Sequence, residues 1–222
     1  NKAFPNQILA VTFTNKAAKE MQLRVSKLLR KDATGLPWLG TFHSISAKLL
    51  RKHADAVGLK SNFSIIDQDD QVRLIKNICK AENVDIKKIS PKFILAIIDK
   101  WKNKGFYPQD VILKRKDPLE KNFLSIYKIY QEKLVNLNSA DFSDLILHTL
   151  KIFEKYTDIA ELYSKKFKYI LVDEYQDTNF IQSEWLRHLS GHNKNICCVG
   201  DDDQSIYSWR GAEIKNFLEF DK

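Results

Sequence analysis

At 222 residues, with 44% hydrophobic and 29% charged residues and little Gly or Pro, the chain has the composition of a folded globular protein, not a disordered or fibrous one. No apolar run approaches the roughly 18 residues needed to span a bilayer, and the start, Asn1-Lys2-Ala3-Phe4-Pro5, carries no signal-peptide pattern. The net charge of +8 is uneven, at +7 over residues 1–59, +6 over 60–136 and −5 over 137–222, so the first two-thirds suit a polyanion such as nucleic acid and the last third suits a cation. A start at Asn and not Met reads as a piece of a longer chain. Three cysteines, Cys79, Cys197 and Cys198, form neither a metal-type pair nor an even disulfide set, and a reducing, cytoplasmic setting is expected.

Taken in chain order, Ile8-Leu9-Ala10-Val11-Thr12-Phe13 is a short, β-branched apolar run that predicts a strand buried on both faces. Thr14 or Asn15 caps a helix over residues 16–30, with Ala17, Met21, Val25 and Leu28 on one stripe. Gly35 and Pro37 interrupt the chain before a second strand over 38–42, and a helix over 44–57 stops at Gly58. From Asp67 to Asn136 only helical periodicity is found: Asp67 and Ser90 are N-caps, Pro91 takes a first helical position, Gly105 is a stop, and Asp117-Pro118 opens a further helix. Strand-like runs return at 169–172 and 195–199, each followed at once by acidic residues, with a helix over 180–189 between them. Cys197 and Cys198 lie inside the last run and read as buried core. Strand–helix–strand spacing predicts a parallel sheet with right-handed crossovers. The expected fold is α/β, with one parallel-sheet domain built from residues 1–64 and 137–222 and an all-helical domain inserted over 65–136.

In an open parallel sheet, ligands gather beyond the carboxyl ends of the strands. At one such end stands Val172-Asp173-Glu174-Tyr175-Gln176-Asp177-Thr178. A carboxylate ending a buried strand is held rigidly at the rim, so Asp173 is placed to hold Mg²⁺, and the adjacent Glu174 to orient and deprotonate an attacking water. At another stands Gly200-Asp201-Asp202-Asp203-Gln204-Ser205-Ile206-Tyr207-Ser208-Trp209-Arg210-Gly211-Ala212. There Gln204 can hydrogen-bond a terminal phosphate or the attacking water, Tyr207 and Trp209 can stack on unpaired bases, and Arg210 can pair with phosphate or carboxylate.

These two segments resemble motifs II and III of the superfamily 1A DNA helicases of UvrD/Rep/PcrA type. Residues 10–21, Ala-Val-Thr-Phe-Thr-Asn-Lys-Ala-Ala-Lys-Glu-Met, are similar to motif Ia, Thr41-Phe42-His43-Ser44 is similar to motif Ib, and Asp141-Phe142-Ser143-Asp144-Leu145 looks like the segment that leads back into the first motor domain. The resemblance implies a partial RecA-like sheet of P-loop NTPase type. It implies that Asp173 is the Mg²⁺-linked acid, Glu174 the catalytic base, and Gln204 the sensor of the γ-phosphate of ATP. Phe13, Tyr207 and Trp209 are then expected to contact single-stranded DNA, with Thr12, His43 and Arg210 on the same track and the helical insert near the single-strand/duplex junction. A role in repair or replication, with the proteins of those processes as partners, and 3′-to-5′ polarity follow from the same likeness.

The family's phosphate-binding loop has no counterpart here, since nothing fits GxxxxGK[ST]. With the second motor domain also absent, these residues alone are expected not to hydrolyse ATP or unwind DNA. The motor part of a RecB- or AddA-like helicase–nuclease shares these motifs, and a non-catalytic single-strand-binding module is the alternative from another class. The His188/His192 pair has metal-like spacing but no third ligand, Lys114-Arg115-Lys116 reads as a solvated turn, Trp101 reads as core, and Asp201–Asp203 lacks Ca²⁺-loop spacing.

Overall fold

The computed structural model describes residues 3–29, 35–113, 118–207 and 211–218. Along the chain its elements are β1 (Ile8–Thr12), α1 (Asn15–Leu29), β2 (Leu39–Thr41), α2 (Phe42–Lys52), β3 (Ser64–Ile65), α3 (Gln68–Ala81), α4 (Pro91–Lys102), α5 (Pro118–Asn136), β4 (Ser139–Ala140), α6 (Phe142–Lys155), α7 (Thr157–Lys166), β5 (Tyr169–Val172), α8 (Phe180–Ser190), β6 (Ile196–Cys198) and α9 (Ile214–Leu218). They fall into two compact units, Asn1–Leu49 with Thr149–Lys222, and Leu50–His148.

In the first unit, β2, β1, β5 and β6 lie side by side in that order, and every pairing is parallel. Because the pairing is parallel, all four strands end at the same rim. The register sets Val11 beside Val172, and Val172 beside Cys198. The apolar runs supply a core that includes Leu9, Val11, Ile170 and Val172 from the strands and Phe42, Ile45, Phe153, Trp185 and Leu189 from the helices. Aromatic edges interlock within it: Phe42 meets Trp185 with ring centres 5.8 Å apart, and Trp38 meets Phe167 at 5.3 Å.

Two expectations for this unit are corrected. Cys197 is exposed and Cys198 half-buried, not core. Alternate residues of a strand face opposite sides of the sheet; Ile170 and Val172 point into the core, whereas Leu171, 45% exposed, and its register partner Cys197 share a face that the described residues leave uncovered. Leu28, placed on the inner stripe of α1, is 83% exposed, and no residue of that helix is fully buried. Thr14 is the cap, accepting the Ala17 N–H at 3.1 Å.

The second unit is helical apart from the two-residue parallel ladder of β3 and β4. Its core gathers Ile75 and Ile78 of α3, Ile94 and Ile98 of α4, and Phe123, Ile126, Tyr127, Tyr130 and Leu134 of α5. Asp67 and Ser90 cap α3 and α4, Pro91 opens α4, and Gly105 takes a left-handed φ of 79° where the chain turns away. Trp101 stacks on Tyr127 at 5.9 Å, a core contact. The block drawn from periodicity, 65–136, lies inside this unit, which also takes in the chain on either side of it.

Candidate functional site

The site is built where β1, β5 and β6 end. The ladder runs on past the strands: the Asp173 N–H donates to the Val11 carbonyl at 3.0 Å, the Val199 N–H to Val172 at 2.8 Å, and the Tyr175 N–H to Val199 at 3.0 Å. Glu174, between two residues stitched to opposite neighbours, is thrown out of line into the left-handed region at φ 57°, ψ 41°. For a residue with a Cβ this costs about 1–2 kcal/mol, and such strain persists where the surroundings over-determine it. A single 3₁₀ turn, Tyr175–Asp177, follows and is buried throughout. It is closed by the Asp177 N–H on the Glu174 carbonyl at 3.0 Å and by the Thr178 hydroxyl on the Tyr175 carbonyl at 2.7 Å.

The two acids therefore differ in setting. Asp173 stands at the rim within 3.5 Å of the hydroxyl of Thr12, itself fully buried at the end of β1. No group of three or more His, Cys, Asp or Glu among the described residues could enclose a metal ion. A lone rim carboxylate beside a hydroxyl suits Mg²⁺, which keeps most of its waters and takes one or two protein carboxylates plus phosphate oxygens. The Glu174 carboxylate accepts a hydrogen bond from the Gln176 amide at 2.7 Å. Gln176 is 1% exposed, and its carbonyl oxygen accepts the Asp201 N–H from the β6 loop at 3.1 Å. Asp177 is buried with its Oδ1 unpartnered, and burial, then the charge of Glu174, push its carboxyl up.

In the β6 loop the acidic run is exposed and held together by Asp201. Asp201 accepts the Asp203 N–H at 3.1 Å and the Gln204 amide at 2.6 Å, which places Gln204 on this loop and not on Asp173 or Glu174. Beyond the loop, the Glu213 N–H at 3.0 Å and the Asn216 amide at 3.3 Å both donate to the Thr178 carbonyl, tying α9 to the Asp173–Thr178 segment.

The predicted DNA-contact residues converge in part. Phe13, just past β1, and Tyr207, past β6, lie ring over ring with centres 5.8 Å apart and planes 14° from parallel. His43 sits in the first turn of α2, and burial pushes its imidazole down to about 4, so it is neutral at physiological pH and meets any ligand through hydrogen bonds, not charge. Thr41 and Ser44 fix that turn by reciprocal bonds, Thr41 N–H to the Ser44 hydroxyl at 2.9 Å and Ser44 N–H to the Thr41 hydroxyl at 3.2 Å. A Cβ on Gly40 would come within 2.5 Å of the Ser44 hydroxyl oxygen, so this cap requires glycine. Trp209 and Arg210 lie outside the described residues, as do Lys114–Lys116.

Sequence reasoning gave Gln176 and Asp177 a place in the motif but no role of their own. It also missed the polar heart of the second unit. There the fully buried Lys102 ammonium lies 2.6 Å from Asp141 and 2.7 Å from Asp144, with the Tyr130 hydroxyl on Asp141 at 2.9 Å and the Gln131 amide on Asp144 at 3.0 Å. Burial alone would lower Lys102, but the two carboxylates outweigh it and raise it. A signal was present: Lys102 continues the buried Ile94–Ile98 stripe of α4 at helical spacing.

A parallel sheet with flanking helices and an acidic pair at its strand ends is an α/β architecture consistent with the P-loop NTPase class. The particular family follows from comparison. The model of the UvrD/REP helicase N-terminal domain matches residues 1–222, and the chain belongs to that family. It is 48% identical over 225 residues to the "Probable DNA helicase II homolog" of Rickettsia conorii, covering 100% of this chain and 34% of that protein. It is 44% identical over 218 residues to the "ATP-dependent DNA helicase PcrA" of Staphylococcus epidermidis, covering 98% of this chain and 30% of that protein. The chain thus spans about a third of the length of these curated relatives. No helix among the described residues is long and apolar enough to cross a membrane.

Proposed function

We propose that these residues are part of an ATP-dependent DNA helicase or translocase that moves 3′ to 5′ along single-stranded DNA in repair or replication, in the cytoplasm. The carrying observation is Glu174, thrown out of the continuing ladder at the rim beside Asp173. In this reading Asp173 holds Mg²⁺, which supplies neutralisation of developing phosphate charge when bound. Glu174 orients the attacking water and accepts its proton. Gln204 senses the γ-phosphate. Phe13, Tyr207 and Trp209 stack on bases, with Thr12, His43 and Arg210 along the same track and the single-strand/duplex junction near the helical insert. Residues 1–64 and 137–222 are assigned to the first motor domain and 65–136 to the insert.

With no GxxxxGK[ST] segment among them, the 222 residues by themselves cradle no phosphates and turn over no ATP. The test is single-strand-stimulated ATP turnover by the full-length protein and its Glu174→Gln variant. A loss of at least about a hundredfold in kcat with the fold intact is expected of a removed general base; turnover within a few-fold of the parent would sink the assignment.

A further inference from the structure

The two strand-end loops that carry the proposed chemistry are joined through one side chain. Gln176 is 1% exposed and lies two residues past Glu174 in the buried 3₁₀ turn. Its Nε2 donates to the Glu174 carboxylate at 2.7 Å, and its Oε1 accepts the Asp201 N–H at 3.1 Å. The amide cannot be turned round: a carboxylate only accepts and a peptide N–H only donates. Asp201 in turn holds the Gln204 amide at 2.6 Å, so a continuous chain of hydrogen bonds runs Glu174–Gln176–Asp201–Gln204. Because Glu174 sits in the left-handed region, its side chain is not oriented by the β5 ladder and needs a separate restraint.

We infer that Gln176 is a positioning residue: it fixes the Glu174 carboxylate against the 199–204 loop, setting the orientation of the base relative to the loop that bears Gln204. This rests on the reading of Glu174 as the base. Glutamine alone fits the requirement. Glutamate at 176 has the same reach but sets a second anion against Glu174 and offers no donor. Methionine has similar length and makes neither bond. Asparagine is one methylene short of spanning both partners.

The experiment uses the full-length protein with Gln176→Met, Gln176→Glu and Glu174→Gln, read by single-strand-stimulated ATP turnover, single-strand affinity, and amide hydrogen exchange without nucleotide. For Gln176→Met, kcat is expected to fall on the order of tenfold to a hundredfold, the scale of a misplaced catalytic group. The KM for ATP and the Kd for single-stranded DNA should stay within about twofold, since Gln176 is 1% exposed. Exchange in segments 174–178 and 199–205 should quicken by about fivefold or more as the clamp opens, with β1 and β5 unchanged. Gln176→Glu should lose at least as much kcat, and carries the same test should Gln176→Met not fold. Inactive Glu174→Gln beside normal kcat in both Gln176 variants would overturn the inference and leave the base assignment standing. Active Glu174→Gln would remove the base and the inference together. A fall in kcat accompanied by equal losses in KM, affinity and β-strand protection would reduce Gln176 to a packing residue, and also overturn it.

Discussion

Two pairs of neighbouring acidic residues, Asp173 with Glu174 and Asp141 with Asp144, sit in opposite settings. Asp141 and Asp144 are fully buried, bracket the Lys102 ammonium, and cap each other's backbone N–H groups at 3.2 and 2.9 Å. Lys102 holds Asp144 low against the effect of burial, which acts to raise it. Their lone pairs are consumed by protein. Asp173 and Glu174 remain partly open at the rim, and no lysine or arginine lies within ion-pair distance of them among the described residues. What sets the two pairs apart is a buried counter-charge, present at Asp141 and Asp144 and absent among the described residues around Asp173 and Glu174.

That contrast breaks most severely at Lys102. Lys102→Met leaves two carboxylates buried without a cation, and a loss of about 3–5 kcal/mol in urea unfolding is expected. A loss under about 1 kcal/mol would mean that the aspartates relax to water and the network is dispensable. At the rim, Phe13→Ala or Tyr207→Ala should weaken single-strand binding of the full-length protein by about 1–3 kcal/mol, read by fluorescence anisotropy. Because stacking and not charge is removed, the salt slope should hardly change. Unaltered affinity would make the Phe13–Tyr207 stack a packing contact.

The smallest effect sharpens the buried side. Asp99, bonded to the Ser143 hydroxyl at 3.1 Å, is pushed up to about 6 by burial and then by the charge of Asp141, from 3.8. Its folded value lies above its unfolded one, so the folded state keeps a proton between about pH 4 and 6 that the unfolded chain releases. This contribution to stability falls as pH rises through that window. Asp99→Asn should flatten that decline, so that stability no longer falls between about pH 4 and 6. A stability profile identical to the parent would show that Asp99 is not strained by its acidic neighbours.

Much of the rim was legible in the sequence because strand, acid and loop are contiguous there: the short apolar run Tyr169–Val172 ends directly on Asp173. What could not be read was orientation. Nothing local says that Glu174 turns left-handed, since this follows from Val11 and Val199 claiming the N–H groups on either side of it. The exposure of Cys197 was misread for a related reason: an apolar strand shows what it can bury, not whether both faces are covered. The helices α6 and α7 were not predicted as such, although Asp141–Leu145 was singled out. The role of that segment depends on Lys102, 39 residues earlier in the chain.

The rim pair is assigned to chemistry and the buried pair to structure. The most direct test of that assignment measures urea stability and ATP turnover side by side for Glu174→Gln and Lys102→Met in the full-length protein. A crossed result is expected. Glu174→Gln should lose turnover by about a hundredfold or more at parental stability, and Lys102→Met should lose about 3–5 kcal/mol while its folded fraction turns over ATP normally. Uncrossed results, with Glu174→Gln unfolding or Lys102→Met stable but inactive, would contradict the assignment.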